Sequence, residues 1–293
     1  MKSIYRSISL LVSALIISSA AYAQNDLSVL EGPYLGQKAP GLTPEPFAPG
    51  IVTTKGWEVG ARFSPSMDEF YFIRKRLDNG KIESVTYKQD NNRWFETVVA
   101  GREPLPFFSP DGRTIHFGKR YKERTKEGWS EIKSLGAPYE DIFIMGLTVS
   151  NKGTYIFDEA TREGNGVLRY SQLINGKRAA PKPLDKVINT GKWNAHPLIA
   201  PDESYILWDG EREGGYGDND LYISFRQQDG SWGEAINLGD KINTAAEEGG
   251  PMITPDGKYL FFGRNMGPME SGDYSNMDTF WVDAQFIEDL RPK

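Results

Sequence analysis

A turn between two apolar runs decides the fold, and its clearest copy is Met252-Ile253-Thr254-Pro255-Asp256-Gly257-Lys258-Tyr259-Leu260-Phe261-Phe262. Proline presets φ at the first turn position, aspartate can bond the backbone two residues further on, and glycine tolerates positive φ. The two apolar runs on either side of the turn are therefore predicted to be adjacent antiparallel strands.

The same pattern occurs five times along the chain. A small residue precedes each turn, and these anchor residues lie roughly 40 to 55 positions apart, a period that fits one four-stranded blade per repeat. The anchors are Ser64, Ser109, Ser150, Ala200 and Thr254. In the first copy, Arg62 takes one place of the apolar pair before the anchor. The sequence thus predicts an all-β fold, a β-propeller of five four-stranded blades.

The two ends of the chain are predicted to share the last blade. After Thr254 there are two more strands but no outermost one, whereas residues 45–52, which include Phe47, look like an outermost strand with no blade before it. Pairing the two would remove an open sheet edge. A six-bladed ring is the alternative, but residues 24–43 would have to supply the extra blade, and about 20 residues are too few for four strands and their turns.

The first residues predict export. Lys2 and Arg6 precede an apolar stretch that ends in Ala21-Tyr22-Ala23, the arrangement of a secretory signal peptide. The apolar run is interrupted by serines and is shorter than the roughly 20 residues that span a bilayer, so no membrane insertion is expected. We expect a signal peptide at 1–23, an N-terminal extension at 24–44, and a single propeller domain at 45–293 in a periplasmic or secreted protein.

The amino-acid composition argues against two classes of binding partner. The chain has a net charge of −6 and no basic block, so nucleic acid and anionic membranes are poor candidates. Its 31 Gly, 18 Pro and 12% aromatic residues suit many short strands separated by turns, and it has no cysteine. Stability must therefore come from the hydrophobic core without disulfides.

The repeats resemble the TolB-like and WD40-like β-propeller family, in which a Ser-Pro-Asp-Gly turn follows the innermost strand. Ser109-Pro110-Asp111-Gly112 and Thr254-Pro255-Asp256-Gly257 match best, whereas Ser64-Pro65-Ser66-Met67 and Ser150-Asn151-Lys152-Gly153 depart from the motif. The resemblance implies the fold. It implies no single function, because members include periplasmic binding or scaffolding proteins, sugar-acid lyases and domains attached to peptidases.

The candidate site lies at the mouth of the predicted channel, where the innermost strands begin. Alternation along a strand places the positions six and four before each anchor on one side. If that side faces the channel, the convergent polar residues are Glu58, Glu103, Asn194, His196 and Glu248. Such a set could hold Ca²⁺ or bind sugar hydroxyls, and no other cofactor is expected. The alternative, which we favour, is that these residues satisfy backbone groups of the loops at a wet strand entrance.

Two further residues beside this set bear on function. Trp193 is next to Asn194 and could stack on a ligand. His196 is the better candidate for a general base or metal ligand, whereas His116 lies in mid-strand beside Phe117 and is expected to be packed. The sequence contains no Ser, His and Asp set at nucleophile spacing, no phosphate-binding glycine loop and no paired-histidine metal motif.

The favoured interpretation is a non-enzymatic, exported binding or scaffolding module. Its partner would be a glycan, a peptide or a protein, bound on the channel face. The alternative is a carbohydrate-active lyase or hydrolase that uses His196 with nearby carboxylates, because acidic groups in pairs are what glycosidic chemistry requires.

Overall fold

A computed structural model describes residues 30–267 and 276–293. The predicted signal peptide and its cleavage site lie outside the described residues. Across the two described ranges, no helix has the length and apolar character needed to cross a membrane.

The described chain forms a five-bladed β-propeller, as the repeats predict. Strand β1 (Glu45–Pro46) comes first. Blade 1 contains β2 (Trp57–Phe63), β3 (Glu69–Lys75), β4 (Ile82–Asp90) and β5 (Arg93–Ala100). Blade 2 contains β6 (Phe107–Phe108), β7 (Thr114–Phe117), β8 (Arg120–Thr125), β9 (Gly128–Trp129) and β10 (Lys133–Ser134). Its outermost position is divided, because β9 and β10 both pair with β8.

The remaining blades follow in chain order. Blade 3 contains β11 (Leu147–Val149), β12 (Tyr155–Asp158), β13 (Leu168–Ser171) and, after the small hairpin of β14 (Leu173–Ile174) and β15 (Lys177–Arg178), β16 (Lys182–Pro183). Blade 4 contains β17 (Lys192–Ile199), β18 (Tyr205–Glu211), β19 (Asp220–Phe225) and β20 (Ile236–Asn237). Blade 5 contains β21 (Glu248–Ile253), β22 (Tyr259–Asn265), β23 (Met277–Asp283) and β1. A short helix, α1 (Phe286–Asp289), follows blade 5.

Four of the five anchor residues hold the turns by their hydroxyl groups, and the fifth, Ala200, has none. Ser109 Oγ donates to Asp111 at 2.6 Å and accepts the backbone N–H of Thr114 at 2.9 Å. Thr254 Oγ1 makes the equivalent pair of bonds to Asp256 and from Tyr259. A small hydroxyl followed two residues later by aspartate therefore closes the turn between the first two strands of a blade.

The N-terminal strand closes the ring. Strand β1 pairs antiparallel with β23, with Glu45 opposite Trp281, and the backbone N–H of Phe47 donates to Thr279 O at 2.9 Å. The Phe47 ring is fully buried and contacts Phe70 of blade 1 as well as Phe261 of blade 5. The predicted sharing of the last blade by the two chain ends is confirmed.

The N-terminal extension does not build a sixth blade in its described part. Leu30 O accepts the backbone N–H of Trp94 on blade 1, and Gly41 O accepts that of Asp283 on blade 5. Between these points Tyr34 and Leu35 are buried in the core cluster at the junction of blades 1 and 5. The extension thus crosses this junction and strengthens the closure.

The hydrophobic core lies between neighbouring blades. The innermost strands line a central channel. Separate apolar clusters fill the junctions between blades 2 and 3, 3 and 4, 4 and 5, and 5 and 1. We call the end of the propeller at which the innermost strands begin the mouth face. The connections between the second and third strands of each blade lie on this face too.

Candidate ligand site at the mouth of the channel

Three innermost strands carry a bulge at the same position. The register between the first two strands shifts in blades 1, 4 and 5, and the residue at the shift has positive φ: Gly60 at 73°, His196 at 45° and Gly250 at 65°. Glycine adopts this conformation without steric cost, whereas a side chain is strained there. Histidine therefore occupies a backbone position that the other two blades give to glycine, and such strain concentrates at functional sites.

Trp193 has the same unusual backbone. Its φ is 54°, and its N–H donates to Gly164 O at 2.7 Å. The indole lies directly against Gly164, where a Cβ would come within 2.3 Å of Trp193 Cε2. The side chain remains 44% exposed. The indole is therefore held on one side by backbone and presents the rest of its surface to solvent on the mouth face.

The His196 imidazole is held by a buried carboxylate. Its Nδ1 lies 3.0 Å from Asp209 Oδ1, while its backbone N–H donates to Asp158 Oδ2 at 3.1 Å. Burial by itself would lower the pKa of His196, but the charges of Asp209 and Asp158 outweigh it and raise the pKa to about 9. The side chain nevertheless keeps 42% of its accessible surface, because the ring faces the channel.

Asp158 and Asp209 join three blades around this histidine. Asp158 is fully buried and accepts the backbone N–H groups of Met145 at 2.7 Å and Gly146 at 3.2 Å. Burial raises the pKa of Asp158, against the opposing effects of His196 and these N–H donors. Asp209 accepts the N–H of Gly250 at 2.9 Å. Blades 3, 4 and 5 are thus connected at the channel by two carboxylates.

Arg62 brings a second positive charge to the channel from blade 1. Its guanidinium carbon lies 3.9 Å from the centre of the Phe107 ring, and its Nε donates to Gly60 O at 3.0 Å. Burial lowers the pKa of Arg62 to about 9. Phe107 also approaches the neighbouring blade 3, since its Cζ would lie 3.6 Å from a Cβ on Gly146, and this Cβ would lie 3.4 Å from His196 Cα.

The carboxylate ring expected from the sequence is not formed. Glu58 and Glu248 are fully buried, and each accepts bonds from the N–H and hydroxyl of the threonine four residues earlier, Thr54 and Thr244. Glu248 also pairs with Arg264 at 2.7 Å. These glutamates hold the loops before their strands, as in the alternative that we favoured. The bulge explains the correction, because one extra residue breaks the alternation that placed them beside His196.

Two further predicted residues also lie away from a common site. Asn194 is buried, donating to Thr190 O at 3.1 Å and accepting the indole N–H of Trp208 at 3.2 Å. Glu103 is exposed, and its backbone N–H donates to Ser84 Oγ. Of the six predicted site residues, Trp193 and His196 lie three positions apart on β17 and have at least partly exposed side chains.

The structure bears on the expected metal chemistry as well. In the part of the chain that is described, no group of three or more His, Asp or Glu side chains could hold a metal ion, so the expected Ca²⁺ ligands do not converge there. The raised pKa of His196 favours the protonated imidazole, in which both ring nitrogens donate hydrogen bonds, and a role of His196 as a base or a metal ligand stays a prediction.

Sequence reasoning missed Asp158, Asp209 and Arg62 as site residues. Ser150 N–H donates to Thr154 O, whereas Ala200 N–H donates to Tyr205 O, so the turn in blade 3 is one residue shorter. Asp158 and Asp209 therefore occupy the same place on their strands, although counting from the anchors aligns Asp158 with Trp208. For Arg62 a signal was present, since it interrupts an apolar pair.

Comparisons with known proteins give similarity in structure only. No family model matches the sequence, so the TolB-like resemblance stays a prediction, and no curated protein matches it. Among solved structures, the catalytic domain of a Coprinopsis cinerea GH62 α-L-arabinofuranosidase has a TM-score of 0.45 at 9% identity, covering 84% of this chain and 95% of that one. A Xanthomonas campestris gluconolactonase has a TM-score of 0.44 at 10% identity, covering 86% and 98%. An α-L-arabinofuranosidase from Lactobacillus brevis has a TM-score of 0.42 at 13% identity, covering 79% and 90%.

Proposed function

We propose that this protein is an exported binding module that takes a glycan at the mouth of its channel. The observation that carries the proposal is the segment from Trp193 to His196 on the mouth side of β17, in which two residues with positive φ carry an exposed indole and a partly exposed imidazole. An aromatic surface beside a few fixed polar groups suits a sugar ring, which has both apolar C–H faces and hydroxyl edges.

The surroundings of Trp193 support a ligand on this face. Several large apolar side chains are exposed there, in the loop before β11, in the β18–β19 connection and in the β22–β23 connection. They are Phe143 at 67%, Met145 at 41%, Tyr216 at 49% and Met266 at 50% exposure. Exposed apolar groups around a polar centre are typical of a binding surface. A glycan fits this arrangement better than a flat protein interface, because the charged groups lie recessed in the channel.

The experiment is a calorimetric titration of the mature chain with neutral and acidic mono- and oligosaccharides. We expect Trp193→Ala to weaken binding by about tenfold, the loss that removal of one stacked aromatic ring produces. Phe95→Ala is the matched control, because Phe95 is 53% exposed on the outermost strand β5, away from the mouth. A panel in which no sugar binds, or binding that is the same in Trp193→Ala, would contradict the proposal.

A second candidate function rests on the His196–Asp209 pair. A protonated imidazole oriented by a carboxylate can donate a proton, which a carbohydrate-active lyase or hydrolase requires at the leaving oxygen. An enzyme of this kind would release new reducing ends or unsaturated sugars from a bound oligosaccharide, and His196→Gln would stop the release. A binding module would leave the oligosaccharide intact in both proteins.

A further inference from the structure

Arg62 has donors that the protein does not use. The side chain is only 8% exposed, and its Nη1 is buried without a hydrogen-bond partner among the described residues. A guanidinium carries five N–H donors, and in the described part of the chain only Nε–H is used, toward Gly60 O. No described carboxylate forms an ion pair with Arg62, although thirteen ion pairs form elsewhere among the described residues.

A buried and unpaired cation is costly to the fold. Removing a guanidinium from water without a counter-ion is strongly unfavourable, and proteins normally avoid this by pairing the group with a carboxylate. Stacking on Phe107 recovers part of this cost but satisfies no N–H donor. In blades 4 and 5, the position two residues after the bulge is occupied by a hydrophobic residue, Leu198 or Met252. Arginine at this position therefore needs a partner that the free protein lacks.

His196 supplies a second unused donor at the same opening. Its Nδ1 is engaged by Asp209, which leaves Nε2 without a partner in the described structure, on a ring that keeps 42% of its accessible surface. Geometry connects the two side chains, because Arg62 stacks on Phe107, and a Cβ on Gly146 would lie 3.6 Å from Phe107 Cζ and 3.4 Å from His196 Cα. Two donors from blades 1 and 4 thus approach the same part of the channel.

We propose that the channel binds the carboxylate of an acidic sugar between the Arg62 guanidinium and the His196 imidazole. The inference rests on the proposed function and names its ligand class, a uronic acid or a glycan that contains one. A guanidinium matches a carboxylate in geometry and can donate two parallel hydrogen bonds to it. The sugar ring of the same residue would then lie toward Trp193 at the rim.

Local charge favours a monoanion. Asp158 and Asp209 already face His196, so the two cations and the two carboxylates have a formal net charge of about zero, and a ligand with one negative charge is repelled less by these carboxylates than a ligand with two. A phosphate group carries nearly two negative charges at neutral pH and would be repelled by these carboxylates. A carboxylate is therefore the better match, and inorganic phosphate serves as the opposing probe.

The test compares acid and neutral forms of one sugar by calorimetry. We expect D-galacturonate and D-glucuronate to bind the mature protein at least about tenfold more tightly than D-galactose and D-glucose, which corresponds to one charge-assisted hydrogen-bonded pair. In Arg62→Met, which keeps a long apolar side chain on Phe107, the ratio of acid to neutral affinity should fall toward one. Arg62→Lys keeps the charge without the planar fork and should retain part of the preference.

Arg178→Met is the matched control. Arg178 is also an arginine stacked on an aromatic ring, 3.4 Å from the centre of Tyr155, but it donates to backbone carbonyls such as Ser171 O and lies at the opposite end of the propeller. This variant should keep the acid preference of the parent protein.

The outcomes separate this inference from the proposed function. Equal affinities for galacturonate and galactose in the parent protein would overturn the carboxylate site while leaving glycan binding in place, and this result does not depend on whether Arg62→Met folds. Tighter binding of inorganic phosphate than of galacturonate would overturn it too. If neither acidic nor neutral sugars bind, the proposed function fails and the carboxylate site fails with it.

Discussion

At the residue scale, the two histidines show how position changes the proton affinity of one side chain. His116 is fully buried between Tyr121 and Tyr155, and neither ring nitrogen has a hydrogen-bond partner in the described structure. Burial, and secondarily the charge of Arg178, lowers the pKa of His116 to about 4. The expectation that His116 is packed is confirmed. His196 is held by carboxylates, and its pKa is raised to about 9.

We therefore expect two widely separated titrations in the folded protein. The chain has only 2 histidines, so ring-labelled histidine gives a simple NMR spectrum. One signal should change near pH 9, while the other stays in the neutral form down to pH 5 or below. Asp209→Asn should lower the higher pKa by removing the main favourable charge. A signal that titrates between pH 6 and 7 in the native protein would contradict the pKa shift expected for that histidine.

The His116 environment also makes stability depend on pH. The unfolded chain protonates this histidine near pH 6.5 but the folded chain only near pH 4, so the unfolded state binds more protons between these values. Stability should fall as the pH is lowered from 6.5 to 4. His116→Phe, which keeps an aromatic ring between the tyrosines, should gain on the order of 2–3 kcal/mol relative to the parent at pH 4 compared with pH 7.5.

Urea unfolding at a series of pH values measures this difference. Tyr121→Phe serves as the control because it changes a neighbouring aromatic residue but leaves His116 in place, so its stability relative to the parent should not vary over the same range. A His116→Phe variant whose advantage stays constant with pH would show that the imidazole takes up its proton at the same pH in the folded and the unfolded chain.

At the scale of the elements, strand β1 is only two residues long but carries much of the closure. Its follower Phe47 is 0% exposed and packs against rings from blades 1 and 5. Phe47→Ala should lower the free energy of unfolding by about 3–5 kcal/mol, because loss of the phenyl group leaves a large cavity between blades 1 and 5, where the propeller closes. Phe95→Ala, at 53% exposure on β5, should change stability by less than about 0.5 kcal/mol.

Chemical unfolding followed by tryptophan fluorescence measures both variants. Similar losses for Phe47→Ala and Phe95→Ala would mean that the first strand is not part of the stable ring. The pairing of β1 with β23 was predictable from spacing, since the pattern left an unmatched strand at each end of the chain. The bulges in β2, β17 and β21 were not, because a bulge inserts a residue without any fixed sequence signature beyond a glycine.

At the scale of the whole molecule, the five junctions between blades give a closed ring with a polar channel. The apolar side chains pack between blades, so the groups that line the channel are free to serve a ligand. Asp158, His196 and Arg62 come from three different blades, and between 38 and 134 positions of the chain separate them. Their meeting depends on closure of the ring, which explains why mutation of the ring junction is expected to affect binding as well as stability.

The sequence by itself determined the strands, their turns, the number of blades and the closure by the N-terminal strand. These features are set by local chemistry, namely hydroxyl-to-aspartate turns, proline and glycine backbone preferences and a period of apolar runs. Only the tertiary structure decided the site. The bulges in the innermost strands direct the side chains of Glu58 and Glu248 toward the loops before those strands. A turn that is shorter by one residue places Asp158 at the position on its strand that Asp209 has on the next blade, so that both contact His196. The side chains that line the channel are therefore set by insertions or deletions of a single residue in the backbone register, and the repeat pattern in the sequence does not reveal these.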